Sequence, residues 1–382
     1  MRMNKIKRIV LIGPIYPYNS GIAHYTGLLY KALLKNGYEV SMHSFKFQYP
    51  KFLFKKEQKD ERSSQFKVDN VNYSIHTMNP FNWFNVAHQI KKFNTDLIIS
   101  QWWHPYFVPC FFTLFKLLGR YKLLFVCHNV FPHERFPLDR FLAKLVLRQG
   151  DYFITQSKMD ANDLRSIKKD AEPIVTPHPT YNAFKISDMS KADARKILNI
   201  DEKANIMLFF GFVREYKGLK YMLQAMPAIK KSVPDAELWI VGDFGDKKES
   251  YYNMIDSLGI KDSVKTVEGF VADAEVEKYF AACDLVVLPY VSATQSGIVP
   301  MAFGFGRPVL VTNVGGLPDV VTDNKTGYVV KSRSHSEISD KAIDFFNNNR
   351  ADEFIENIIN EEDRFSWDTF VKKLTKLVEE DT

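Results

Sequence analysis

Residues 285–312 read LVVLPYVSATQSGIVPMAFGFGRPVLVT. Two unbroken apolar runs, 285–288 and 309–312, enclose a turn crowded with small and hydroxyl residues and an apolar helix predicted to start at Ser296 or Gly297. A β-branched run without polar alternation marks a strand covered on both faces, the habit of parallel sheets layered with helices. The turn between carries no acidic side chain. Its composition suits an anion.

The same grammar extends in both directions. Strands are predicted at 206–211, 237–242 and 264–267, alternating with amphipathic helices such as 219–231. Near the start, a strand at 6–13 is followed by the loop PIYPYNSG and a helix over 22–36, with Ile22, Tyr25, Leu29 and Leu33 on one stripe and Gly37 as its stop. Further strands are expected at 96–100, 123–127 and 152–156. At 382 residues the chain exceeds what one core usually supports, so two doubly wound α/β domains are expected. VTPHPTYNAFK, residues 175–185, breaks the pattern between them. The division is 1–182, 183–363, and a C-terminal helical segment 364–382 that is expected to pack back on the first domain.

Composition narrows the function. Hydrophobic residues make up 46% of the chain and no low-complexity tract occurs, so both domains should fold. The net charge of +6 is scattered; its densest stretch, 46–67, reads as a solvated loop or as a contact for anionic lipid, and no face is basic enough for nucleic acid. Cys110, Cys127 and Cys283 have no metal-knuckle spacing and suit buried thiols in a reducing compartment. The apolar start is too short for a signal peptide, and the run 106–119 is too short to span a bilayer. A cytoplasmic protein is expected, with peripheral contact at the inner face of the membrane as an option; 31 Phe and 18 Tyr leave room for it.

Three turns invite phosphate. In GFVREYKGL, 211–219, Arg214 and Lys217 stand three apart at a predicted helix start, where cations and unpaired N–H groups can meet one anion. If Ser296 caps the next helix, the amides of Gly297, Ile298 and Val299 are left over. Ser20-Gly21-Ile22 is the third. Each could be an ordinary tight turn, but three in one cleft between two domains imply a clamped diphosphate.

These residues resemble a family. GFVREYKG, IVGDFG (240–245), EGFV (268–271), SGIVPMAFGFGRPVLVTNVGGLPDVV (296–321) and SGIAHYT (20–26) are together similar to the family 4, group 1 retaining glycosyltransferases of GT-B fold, two Rossmann-like domains facing a central cleft. The resemblance implies a nucleotide diphosphate sugar donor held mainly by the second domain and a glycan or lipid-linked glycan acceptor held by the first. It assigns Arg214 and Lys217 to the donor diphosphate, the amides of Gly297, Ile298 and Val299 after Ser296 to the same site, Gly21 to the loop completing it, and Phe270 and Val271 to the base. His128, in CHNVFPHER, takes the place of a histidine near the reacting sugar, beside Asn129; a buried structural histidine is the other reading.

The departure lies in the opening stretch. Many members carry two glutamates eight apart, and those positions are Ala293 and Met301 here. SATQSG resembles a variant branch in which Thr294 and Gln295 offer polar contacts instead. Trp102, Trp103 and His104 in QWWHPY are candidates for an acceptor platform, core packing being the alternative for the tryptophans. His133 and Glu134 lack the spacing of a zinc motif. No D-x-D occurs, so neither a metal nor another cofactor is expected. A catalytically inactive GT-B module, or a nucleotide-sugar epimerase or phosphorylase of the same architecture, remains open. An oxidoreductase is disfavoured because no G-x-G-x-x-G follows the first strand.

Overall fold

The computed structural model describes residues 6–54, 57–61, 66–132 and 136–379. Its contacts group residues 1–177 with 366–382 in one compact unit and 178–365 in another.

The first unit is built on seven parallel strands: β1 (Arg8–Ile12), β2 (Glu39–Phe47), β3 (Val71–His76), β4 (Leu97–Trp102), β5 (Lys122–Cys127), β6 (Tyr152–Thr155) and β7 (Ile174–Val175), in spatial order β3-β2-β1-β4-β5-β6-β7. β1 shows why such a strand is apolar throughout. Val10 and Ile12 enter one core with Trp83, Phe111 and Val146 from helices Pro80–Phe93, Val108–Leu117 and Asp139–Leu147. Ile9 and Leu11 enter the other with Tyr25, Leu29 and Leu33 from helix Gly21–Lys35. Helix Trp367–Glu379 adds Phe370, Val371, Leu374 and Val378 to this second core. Each large apolar side chain so buried contributes about 1.5–3 kcal/mol. The Lys35–Asp368 ion pair, at 2.7 Å but exposed on both sides, adds little, so the apolar face is what holds this helix.

The second unit repeats the plan with six parallel strands: β8 (Asn205–Phe210), β9 (Ala236–Gly242), β10 (Val264–Glu268), β11 (Leu285–Leu288), β12 (Val309–Thr312) and β13 (Gly327–Val330), in order β10-β9-β8-β11-β12-β13. Met207 and Phe209 pack with Met222 and Leu223 of helix Leu219–Ser232 and with Ala342 and Phe345 of helix His335–Asn347. From β8 the chain proceeds outward to β9 and β10, and from β11 outward to β12 and β13, so the strand order reverses between β8 and β11. A crevice at the carboxyl ends of two such strands is where doubly wound sheets bind ligands.

β2 and β3 carry no continuous apolar run, β7 is only two residues long, and β13 is a four-residue run that opens on a glycine. Three are edge strands, and β3 leaves Asn72 and Tyr73 exposed. β2 hides His43 among apolar residues, paired with Ser74 at 3.1 Å; burial lowers that imidazole to a pKa of about 4. β4 reaches two residues beyond the predicted end, which draws Gln101 and Trp102 into the sheet.

Candidate functional site

The turn after β8 and the loop after β11 meet at the point of reversal. The carbonyl of Tyr216 accepts the amide of Val291 at 2.7 Å and that of Ser292 at 3.4 Å. Gly218 permits the approach: its φ is +67°, and a Cβ there would lie 1.9 Å from the carbonyl oxygen of Pro289. Residues Glu215–Lys217 form a single 3-10 turn ahead of helix Leu219–Ser232, so Arg214 and Lys217 bracket a short turn and do not start the long helix itself.

Arg214 is exposed and its guanidinium lies 5.5 Å from the Phe212 ring centroid. Its Nη1 donates to the Val213 carbonyl at 3.3 Å and would be 2.6 Å from a Cβ on Gly245, so the arginine lies over the turn that follows β9. The Lys217 ammonium is 5.7 Å from the centroid of the Tyr290 ring and 3.2 Å from the position a Cβ on Gly211 would take. Burial holds it below the usual lysine range, and the positive charge of Arg214 adds to the effect. Among the described residues neither cation has an ion pair; Glu215, between them in sequence, is taken by Lys247 at 2.8 Å. Two neighbouring cations without a counter-ion make a place for an anion.

The loop after β11 is pinned from below. Thr312 and Ser332 donate to the Tyr290 carbonyl at 2.6 and 3.1 Å, and the carbonyl of Thr294 accepts the Gly316 amide at 2.8 Å. Ser296 Oγ lies 3.3 Å from the buried Tyr290 hydroxyl and accepts the Ile298 amide at 3.2 Å. The expectation of three leftover amides is corrected accordingly: the Ile298 N–H is satisfied by Ser296, because the serine sits two residues before it. The helix runs Ile298–Gly304 with Gly297 at its cap, only seven residues, so little dipole supports an anion there. Thr294 and Gln295 are half-buried. Ala293 and Met301, the positions without glutamate, are both buried, at 8% and 9% exposure.

Phe270 and Val271 follow β10, whose exit is tied to β9 by the Gly269 amide on the Gly242 carbonyl at 3.1 Å. Phe270 presents its ring to solvent and Val271 is half-buried.

In the first unit, Gly21 is the exposed first residue of helix Gly21–Lys35, capped by Ser20, whose hydroxyl accepts the Ala23 amide at 3.2 Å. His128 is buried at the end of β5, its Nε2 2.7 Å from Gln101 Oε1 and its ring edge-on to Tyr25 at 4.7 Å. Trp102 is fully buried and donates its indole N–H to the Val130 carbonyl at 3.2 Å. It has no face to offer a sugar, because its ring is packed in the core cluster that holds Phe107 and Val130; the platform reading is corrected at this position. Trp103 and His104 are half-buried, Trp103 donating to the Tyr49 hydroxyl at 2.9 Å and His104 Nδ1 accepting the Tyr106 amide at 3.0 Å. Gln101 and the pair Gly315-Gly316 escaped the sequence reading, and Tyr25 was read only as part of a helix stripe, although each lies inside a motif quoted for other reasons. His133 and Glu134 lie outside the described residues. Cys110, Cys127 and Cys283 are free and buried, and desolvation raises each thiol. Among the described residues no cluster of His, Cys, Asp and Glu could hold a metal ion, and no helix is long and apolar enough to cross a membrane.

Comparison with known proteins gives this geometry a family. The model of the family "Glycosyl transferases group 1" matches residues 190–361, and that of "Glycosyltransferase Family 4" matches residues 19–181. The D-inositol 3-phosphate glycosyltransferase of Segniliparus rotundus is 28% identical over 204 residues, 51% of this chain and 44% of that protein. The chain thus spans just under half the length of this relative. The sucrose-phosphate synthase of Thermosynechococcus elongatus is similar over 98% of both chains with a TM-score of 0.73 and 18% identity. Anabaena Alr3699/HepE, solved in complex with UDP, is similar over 98% of this chain and 100% of its own, with a TM-score of 0.73 and 16% identity. With two parallel doubly wound sheets and a family model matched in each unit, the chain belongs to the group 1, family 4 glycosyltransferases of GT-B fold.

Proposed function

We propose that the protein transfers a sugar, with retention of configuration and without a metal, from a nucleotide diphosphate sugar to a glycan or lipid-linked glycan. The observation that carries this reading is the pair Arg214 and Lys217, two cations without an ion pair among the described residues, at the reversal point of the second sheet. They would hold the diphosphate and stabilise the negative charge that grows on it as the glycosidic bond breaks. Because the site is positioned before the reaction, little reorganisation is required at the transition state. The amides of Gly297 and Val299 would add to the phosphate site, Thr294 and Gln295 would address the donor sugar, and Phe270 and Val271 the base. His128 would address the transferred sugar, and Gly21 the phosphate. Trp103 and His104 remain acceptor candidates. The UDP bound by the Anabaena neighbour supports a nucleotide donor.

A lipid-linked acceptor is supported by the surface of the first unit. Phe52, Leu53 and Phe54 follow β2, and Met78, Phe81 and Phe84 follow β3; all six are exposed, Phe81 at 82%. Lys46, Lys51 and Lys59 flank the first group, which suits peripheral contact with anionic lipid. The buried Ala293 and Met301 favour a second reading, an inactive nucleotide-sugar-binding module. A panel of nucleotide sugars screened by thermal shift, followed by product analysis with EDTA present, separates them. A donor that stabilises the fold and yields a retained glycoside supports transfer. Binding without product supports the inactive module, and an isomerised free donor supports an epimerase.

A further inference from the structure

The carboxyl rim of the first sheet ends its own core with a row of polar side chains. On the face covered by helix Gly21–Lys35, β4 presents Leu97 and Ile99, β5 Leu124 and Val126, and β6 Tyr152 and Ile154. Two residues further along each strand direction stand Gln101, His128 and Gln156, at 0%, 3% and 2% exposure. Gln101 Nε2 and both side-chain polar atoms of Gln156 make no hydrogen bond among the described residues. Buried amides with unmade bonds are costly compared with an apolar residue of similar size, so their presence asks for a reason.

The one bond Gln101 makes supplies it. Its Oε1 lies 2.7 Å from His128 Nε2. Its side chain is also held in place: a Cβ on Gly13 would lie 2.6 Å from Gln101 Cγ, so the glutamine lies directly across the glycine at the end of β1. Tyr25 closes the ring from the edge at 4.7 Å.

We propose that Gln101 is a positioning residue for His128: by accepting the Nε2 proton it fixes the orientation of the ring and, in the neutral imidazole, the tautomer, which leaves the lone pair on Nδ1. In a neutral imidazole one nitrogen donates and the other accepts, and the partner of the first decides the role of the second. In that tautomer Nδ1 is the accepting nitrogen of the ring. The catalytic part of this inference rests on the reading that places His128 at the transferred sugar; the tautomer does not.

Histidine-specific 15N labelling with two-bond 1H–15N correlation spectra reads the tautomer directly, His128→Asn serving to assign the signal. The wild type should show the Nε2–H form. Gln101→Leu, which fills the same space without an acceptor, should lose that signature and lower kcat about 10- to 100-fold, the range seen when a partner orienting a functional histidine is removed. KM for the donor should stay within about twofold, since the phosphate site is untouched. Gln101→Glu, which keeps an acceptor at the same place, should keep a proton on Nε2, and because its carboxylate also favours the imidazolium it is read by the Nε2 signal and not by turnover. An Nδ1–H signature in the wild type overturns the proposal whatever the activity. So does a Gln101→Leu protein that changes tautomer and keeps full kcat. A wild type with the Nε2–H signature that transfers no sugar from any donor sinks the glycosyltransferase role of His128 and leaves the Gln101 relationship standing. Should Gln101→Leu fail to fold, the wild-type spectrum and Gln101→Glu still decide it.

Discussion

The Tyr216 carbonyl and the Val291 amide, 2.7 Å apart, join the turn that carries Arg214 and Lys217 to the loop that follows β11. The two cations are therefore placed by backbone, with Gly218 against Pro289 beneath them, and not by ion pairs of their own side chains. Truncating either side chain leaves the scaffold intact.

Arg214→Ala should keep the melting temperature of the parent and Lys217→Ala should not lower it, since the buried ammonium costs stability in the ligand-free protein; each should lose about 3 kcal/mol of transition-state stabilisation, roughly a hundredfold in rate, the cost of one missing charge-stabilising donor. Steady-state kinetics beside thermal melts checks this. Folded variants with wild-type turnover would reject the phosphate site.

Lys217 adds a pH dependence. Its ammonium is held below the usual lysine range by burial, so the charge needed for anion binding is present at low pH and lost as pH rises through the depressed value. In the ligand-free protein the sign for stability is opposite. Between that value and an ordinary lysine value near ~10.4 the unfolded chain holds the extra proton, and this group's contribution to stability rises with pH. Nucleotide diphosphate affinity, followed by calorimetry from about pH 7 to 10, should fall earlier in the wild type than in Lys217→Arg, whose guanidinium stays charged. Superimposable profiles would remove Lys217 from the anion.

Gly315→Ala should be far more damaging than Gly259→Ala. Both glycines have positive φ, +51° and +64°, but a Cβ on Gly315 would lie 1.6 Å from the Ala293 carbonyl oxygen while Gly259 has nothing within 4 Å. Gly259→Ala then costs about 1–2 kcal/mol for the left-handed backbone alone. Gly315→Ala must also push away the backbone of Ala293 and Thr294, so denaturant melts should show a larger loss and donor binding should weaken with it. Equal losses would mean that this loop yields freely.

Met301→Glu places a carboxylate in a buried apolar setting among Val299, Ala302 and Phe303, at a cost of one to several kcal/mol (order of magnitude). The variant should melt lower and bind donor no better. Tighter donor binding and faster turnover, alone or with Ala293→Glu, would instead show a site adapted to the usual carboxylates.

The double variant Phe81→Ser, Phe84→Ser should sediment less with vesicles containing anionic lipid while keeping its melting temperature, because both rings are exposed on helix Pro80–Phe93. Zwitterionic vesicles should bind the wild type more weakly. Binding unchanged by the two substitutions would move the membrane contact elsewhere, and a wild type that ignores both kinds of vesicle would remove it.

Local pattern was enough to read the architecture. Continuous apolar runs such as Leu285–Leu288 and Val309–Thr312 announce strands covered on both faces, because each alternate residue must enter one of two cores, and the helices between them repeat at their own period. Arg214 and Lys217 could be singled out because a cationic turn after a strand has few structural uses. β3 stayed hidden because Asn72 and Tyr73 meet solvent and the pattern fades with the burial that creates it, whereas β13, though largely buried, is only four residues long and opens on a glycine. Tertiary structure alone decided which groups in those motifs are free to act. Ser296 takes the Ile298 amide, Trp102 turns inward, and Gln101, unremarkable in QWWHPY, comes to lie on His128, 27 residues away. Such pairings depend on strand register and on the absence of a Cβ at Gly13 or Gly315. The pairing of Gln101 with His128 is a relation between distant segments, and no short window of sequence contains both partners.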